Sequence, residues 1–241
     1  MPAKKQSTLK VAYLLFKRDL RQELRTHEML SAMGLYALLV LVVFGATVAA
    51  NAASVAIVPV APGLFWAMLV FTALLGMSRT FSAEKQDGAL EGLLLAPISR
   101  TAIFWAKAAS LALVMLAVEV VCVPLFWFFF LADVPLGAHV LCIAIPLLAG
   151  TFGIAGLGTL LATITADASG KDVLLCVLFV PLAYPLLHAC TKASAVVLNA
   201  AAAFMCPLFD TTFLLCVVLA VVYDVIMFVV CWILYDAVIQ A

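Results

Sequence analysis

The sequence predicts an all-α integral membrane protein, a bundle of six transmembrane helices that forms one domain over residues 1–241. Hydrophobic residues make up 67% of the chain and charged residues only 11%, whereas soluble domains are about half apolar and a quarter charged. The mean hydropathy is +1.25, and apolar runs extend over nearly the whole length. Because lipid cannot pair backbone polar groups, and the runs lack the alternation of barrel strands, we expect helices.

Six apolar runs are long enough to cross a hydrocarbon core of about 30 Å. We predict the spans at 32–50, 59–78, 102–131, 139–162, 173–191 and 208–235. Prolines lie in the interior of the third, fourth and fifth spans, where each removes one backbone hydrogen bond and favours a bend. These prolines are Pro124, Pro146, Pro181 and Pro185.

The Lys and Arg residues predict the orientation, because short cytoplasmic segments retain an excess of them. Seven precede the first span, Lys171 follows the fourth, and Arg79, Lys85, Arg100 and Lys107 lie around the second connection. Lys192 alone falls on the other side. We therefore expect both termini to be cytoplasmic.

Residues 1–30 form a cytoplasmic segment with its own pattern. Apolar side chains recur at spacings of three and four, which predicts an amphipathic helix in the membrane interface with basic residues toward lipid headgroups; they are Leu9, Tyr13, Phe16, Leu20 and Leu24. The segment lacks the apolar core of a removable signal peptide, so we expect it to be retained. It is either a topology anchor or a mechanical elbow that moves with its neighbours.

The fourth span contains closely spaced glycines, at Gly150, Gly153, Gly156 and Gly158. Small residues let helix backbones approach closely in lipid. The stripe predicts helix packing, with a flexible hinge as the alternative.

The residues indicate no intrinsic catalysis. Balanced charge, with 13 basic and 13 acidic residues, argues against nucleic-acid binding. Gly170-Lys171-Asp172 lacks the Ser or Thr, and the leading Gly, of a phosphate-binding loop. The seven cysteines form no C-x-x-C pair, and we predict no metal site. Cys190 and Cys206 flank a predicted loop and are a candidate disulfide.

The connection from Ser78 to Arg100 is the longest polar interruption between the early spans, and we assign 78–101 as a cytoplasmic segment. Beyond Gly88 it becomes leucine-rich and amphipathic, which suits docking in a partner's groove. The alternative is an interfacial helix with solvated charges. The candidate docking residues are Glu84, Gln86, Asp87, Gly88, Leu90, Glu91, Leu93, Leu94 and Pro97.

Several stretches together resemble one family. They are APGLFW at 61–66, QDGALE at 86–91, Pro97, Ala106-Lys107, Gly150-Thr151 and LLCVLFVPLAYPLL at 174–187. The chain resembles type-2 ABC exporter permeases, and more closely the CcmB family, permease subunits of cytochrome c maturation often called haem exporter protein B.

The resemblance implies a non-catalytic permease subunit of an ATP-driven complex in the bacterial inner membrane. Segment 78–101 would couple it to a separate ATPase, CcmA, which binds ATP and Mg²⁺. Further implied partners are the haem-handling protein CcmC, the small protein CcmD and the haem chaperone CcmE. ATP hydrolysis would drive either haem export or release of the loaded chaperone at the periplasmic side. The alternatives are a type-2 permease for a glycan, lipid or drug and, least favoured, a secondary transporter, which would show paired half-repeats.

Two acids and two histidines are further candidates. Glu119 and Asp224 lie near the middle of predicted spans, where ionisable groups are functional candidates or interhelical hydrogen-bonding groups. His139 and His188 lie near the predicted extracytoplasmic ends of their spans. Haem iron favours His or Met ligands, although histidines at helix ends are commonly interface residues.

Overall fold

The computed structural model describes residues 8–50, 57–86, 100–132, 139–165, 168, 170–202, 208 and 210–238. The described residues form seven α-helices, and six of them are long and apolar enough to cross a membrane. The all-α, six-span prediction is therefore confirmed. The helices are α1 (Thr8–Thr26), α2 (Glu28–Ala50), α3 (Ala61–Gln86), α4 (Arg100–Phe130), α5 (Val140–Thr165), α6 (Lys171–Ala202) and α7 (Thr211–Val238).

Two helices continue through polar residues beyond their predicted ends, although the apolar span within α3, Ala61–Arg79, ends where it was predicted to end. The second span was predicted to end at 78, but α3 continues to Gln86 through residues such as Glu84 and Lys85 that favour helix. The fifth was predicted to end at 191, but α6 continues to Ala202. Ser194 lies inside this extension and donates its hydroxyl hydrogen back to the Cys190 carbonyl at 2.9 Å. Hydropathy detects where a lipid-compatible stretch ends, whereas a helix ends only when its backbone bonds do.

Helix α5 lies at the centre of the bundle and packs against α3, α4, α6 and α7. Its glycines explain how it can do so. A Cβ added at Gly150 would lie 2.2 Å from the Trp66 ring, and one at Gly158 would lie 2.2 Å from the Met77 side chain. Large side chains of α3 thus fill the space above these glycines, as expected for close packing of helices in lipid.

The outer surface of the bundle is apolar. Long faces of α2 and α7 expose large hydrophobic side chains, which suits contact with acyl chains. Examples are Leu35, Val42, Val43, Leu215, Val225 and Ile233.

Helix α1 packs against α4, and its predicted apolar stripe divides between two environments. Phe16 and Leu20 are partly buried, whereas Tyr13 is 61% exposed and Leu24 is 60% exposed. A helix between a bundle and a bilayer has apolar neighbours on two sides, so periodicity alone does not tell which side chains contact protein. Leu15, outside the predicted stripe, packs against a buried cluster that includes Ile103 and Phe104.

Candidate functional site

The predicted docking segment connects α3 to α4 along the chain, and these two helices pack against each other. Glu84 and Gln86 lie in the last turn of α3, a correction to the prediction that the segment separates from the helix at Ser78. The other docking candidates lie outside the described residues, namely Asp87, Gly88, Leu90, Glu91, Leu93, Leu94 and Pro97. Whether 87–97 forms a docking helix stays a prediction.

Glu119 of α4 lies in the bundle interior, 2% exposed. Thr151 of α5 donates its hydroxyl hydrogen to Glu119 Oε1 at 2.6 Å. The other carboxyl oxygen, Oε2, is buried and has no hydrogen-bond partner among the described residues. A carboxyl group at this depth therefore joins two helices through one bond and retains one oxygen for a further interaction.

Asp224 of α7 lies against a different face of α5 from the one that contacts Glu119. A Cβ added at Gly153 would lie 2.1 Å from Asp224 Oδ1 and 2.5 Å from the side chain of Leu186. Gly153 therefore makes room for the carboxyl group, whose Oδ1 is buried without a hydrogen-bond partner in the part of the chain that the structure describes. One turn later, Phe228 lies in the same way over Gly156. Thr151 and Gly153 are two positions apart on α5 and so face different neighbours.

The two candidate histidines are placed differently. His139 directly precedes α5 and is partly buried, as a residue at a helix start. His188 is not near a helix end as predicted, because α6 continues for 14 residues beyond it to Ala202. Its ring is exposed and stacks on Tyr184 with ring centroids 5.8 Å apart. Lys192, one further turn along, is exposed on the same face.

An apolar cleft opens at the end of the bundle remote from α1. Its described lining carries no titratable side chain, and Ser194, a polar residue in it, accepts a hydrogen bond from the Trp66 indole at 3.0 Å. This lining offers no charge to bind an ion. Its principal lining residues are Phe65, Val123, Phe126, Trp127, Leu147 and Leu198.

Sequence reasoning missed a buried ion pair at the opposite end. Lys107 Nζ of α4 lies 2.9 Å from Asp19 Oδ2 of α1, and both side chains are largely buried. Two signals were available: Asp19 is an acid among basic residues on α1, and Lys107 lies within an apolar run of α4.

Cys190 is a buried free thiol within α6, while its candidate partner Cys206 lies outside the described residues. Among the described side chains, no three of the His, Cys, Asp and Glu type come together as metal ligands.

Comparison with known proteins agrees with the motifs. The family model described as "CcmB protein" matches residues 10–234. The chain is also similar to "Heme exporter protein B" of Rhodobacter capsulatus, with 32% identity over 128 residues. That alignment covers 53% of this chain and 57% of the relative, so it spans a little over half of either protein. Because the family model covers nearly all of the chain, including the six apolar spans of the described helices, the chain belongs to the CcmB family.

Proposed function

We propose that this chain is the membrane permease subunit of an ATP-driven complex in cytochrome c biogenesis, and that it acts in haem export or in release of a haem-loaded chaperone. The observation that carries the proposal is the family match over residues 10–234. The six-span bundle without a soluble domain among the described residues agrees with a subunit that takes its driving force from a partner.

The coupling route runs through α3 and α4. Helix α3 ends at Gln86 and α4 begins at Arg100, so a displacement of segment 87–99 would act directly on the last turn of α3 and the first turn of α4. Farther along α3, Met77 and Trp66 fill the spaces above Gly158 and Gly150 of α5. Since packed interiors transmit small movements, an ATPase bound at the segment would shift α3 against the centre of the bundle.

The partners follow from this assignment. An ABC ATPase of the CcmA type would bind ATP and Mg²⁺ and dock at Glu84 to Pro97. CcmC, CcmD and CcmE would handle haem in the membrane and at the periplasmic side. Within this chain, the Tyr184, His188 and Lys192 face is the best candidate for haem contact, because imidazole binds haem iron and an ammonium group pairs with carboxylates.

The proposed orientation places both termini and Glu84 in the cytoplasm of a bacterium, by the distribution of basic residues. Labelling of single-cysteine variants with a membrane-impermeant reagent tests it. A cysteine at position 84 should react only after the membrane is opened, and reaction in intact spheroplasts would reverse the orientation.

Two experiments test the function. Deletion of the gene should abolish c-type cytochromes and leave b-type cytochromes intact, and normal c-type levels would exclude the proposal. The purified chain should hydrolyse no ATP until its ATPase is added, because Gly170-Lys171-Asp172 is not a phosphate-binding loop. If deletion instead changes export of a glycan, lipid or drug, the chain is a type-2 permease for another substrate.

A further inference from the structure

The contact between α1 and α4 combines charge with apolar packing. The side chain of Asp19 is 11% exposed and that of Lys107 is 7% exposed, and their charged atoms lie 2.9 Å apart. Arg18 Nη2 also lies 3.1 Å from the other Asp19 oxygen, Oδ1. Leu15, one turn before Asp19, packs against the cluster of Ile103 and Phe104, one turn before Lys107. The contact therefore extends over at least one turn of each helix.

The other end of α1 is also constrained. His27 joins α1 to α2 with φ of +52°, a conformation that few residues adopt. Glu23 Oε1 accepts a hydrogen bond from the Leu30 amide at 2.7 Å, which satisfies one of the free amides at the start of α2. Helix α1 is thus held at one side to α4 and at its end to α2.

A membrane anchor alone does not account for this arrangement. Anchoring needs apolar side chains toward lipid and basic side chains toward headgroups, and α1 has both without Asp19. An acid turned toward the bundle contributes nothing to headgroup binding. A buried ion pair is also a poor source of stability compared with apolar packing, and its best-attested use is to specify one arrangement.

We propose that Asp19 and Lys107 are positioning residues that fix α1 to the N-terminal part of α4. Helices α1 and α4 then move as one unit when the segment before α4 is displaced. Lys107 lies seven residues after Arg100, the first residue of α4 beyond that segment. The role in coupling rests on the proposed function, whereas the fixed α1–α4 geometry does not. Helix α1 then carries the movement to α2 through the junction at His27.

Charge variants test the coupling role in the complete complex. In Asp19→Asn and Lys107→Met, c-type cytochrome content should fall about tenfold while the purified complex retains its ATP hydrolysis, since loss of a coupling contact separates the two. The double variant Asp19→Lys with Lys107→Asp should recover most of the content. Arg79→Met is the matched control, because Arg79 pairs with Glu28 at 3.0 Å in an exposed ion pair between α2 and α3, and such pairs contribute little.

A distance measurement on the purified chain tests the geometry independently of function. Spin labels at Arg21→Cys on α1 and Leu113→Cys on α4 occupy exposed positions, with Cys176 and Cys206 replaced by Ser. The distance distribution should be narrow in the native background, broad in Lys107→Met and narrow again in the charge-swapped variant.

The outcomes distinguish the fixed α1–α4 geometry from its role in coupling. A distribution that Lys107→Met leaves unchanged overturns the fixed geometry, and so does a charge swap that restores neither measurement. Wild-type cytochrome content in both single variants overturns the coupling role. If deletion of the whole chain leaves c-type cytochromes normal, the proposed function fails while the distance measurement still decides the α1–α4 contact.

Discussion

Thr151 donates a hydrogen bond to Glu119 at 2.6 Å and thereby joins α5 to α4 inside the membrane. Thr151 also donates to the Leu147 carbonyl at 2.9 Å, so its hydroxyl shares one hydrogen between two acceptors. The carboxyl group therefore competes with a backbone acceptor of α5 for the same hydroxyl hydrogen. The bond from Thr151 of α5 to Glu119 of α4 favours interhelical hydrogen bonding as the role of Glu119.

We expect Glu119→Gln and Glu119→Leu to support cytochrome c maturation. Glu119→Gln retains an acceptor for Thr151, whereas Glu119→Leu loses the interhelical bond and should lower stability by about 1 kcal/mol. Thermal unfolding in detergent and the c-type cytochrome content measure the two effects. Loss of maturation in Glu119→Leu with normal insertion and unchanged stability would instead indicate a transport role.

Gly153→Ala should destabilise the bundle. The added Cβ would lie 2.1 Å from Asp224 Oδ1 and 2.5 Å from the Leu186 side chain, so these two buried side chains, or the helices that carry them, must shift. Overpacking of this kind costs about 1–3 kcal/mol. Thermal unfolding of the purified chain measures the change.

Gly34→Ala is the matched control for Gly153→Ala. It lies in α2 with nothing within 4 Å of an added Cβ, so helix propensity should make it neutral or stabilising by up to about 1 kcal/mol. Equal effects at Gly34 and Gly153 would contradict the packing explanation and favour the hinge alternative for the glycine stripe.

Leu94→Ala should weaken co-purification of the ATPase more than Glu84→Ala does. Truncation of a central apolar anchor typically costs about 2 kcal/mol or more, while a rim charge commonly contributes less than about 1 kcal/mol. Pull-down of the ATPase with the tagged permease measures the difference.

Gly88→Pro tests the same segment by its backbone. Proline inside a helix removes a hydrogen bond and costs about 3 kcal/mol, so the predicted docking helix should be disrupted and ATPase binding lost. If Leu94→Ala and Gly88→Pro insert normally, bind the ATPase and support maturation, the segment is only an interfacial loop.

His188→Ala should reduce haem binding if the face of α6 that carries Tyr184 and His188 contacts haem. His139→Ala, at the start of a helix, is the matched control. The exposed ring of His188 and exposed Lys192 offer an iron ligand and a cation about one turn apart. The Soret band of haem added to the purified complex should weaken only in His188→Ala. An unchanged spectrum in both variants removes the two histidines from the haem-contact candidates.

The number and type of spans could be predicted from the sequence because they follow from local composition. Runs of apolar residues of bilayer length must be helical, whichever helix they later contact. The family could also be predicted, since motifs such as QDGALE and APGLFW are read along the chain. The ends of α3 and α6 were missed because polar residues at an apolar boundary do not stop a helix whose backbone bonds continue.

The tertiary structure alone determined which residues meet. Thr151 with Glu119, Gly153 with Asp224 and Asp19 with Lys107 come from different helices, up to 88 positions apart in the case of Asp19 and Lys107. Each helix offers several faces of similar hydropathy to its neighbours, and a membrane provides no hydrophobic force to choose between them. Close packing at glycines and the pairing of buried polar groups determine which faces contact each other. Both require that two helices are already side by side.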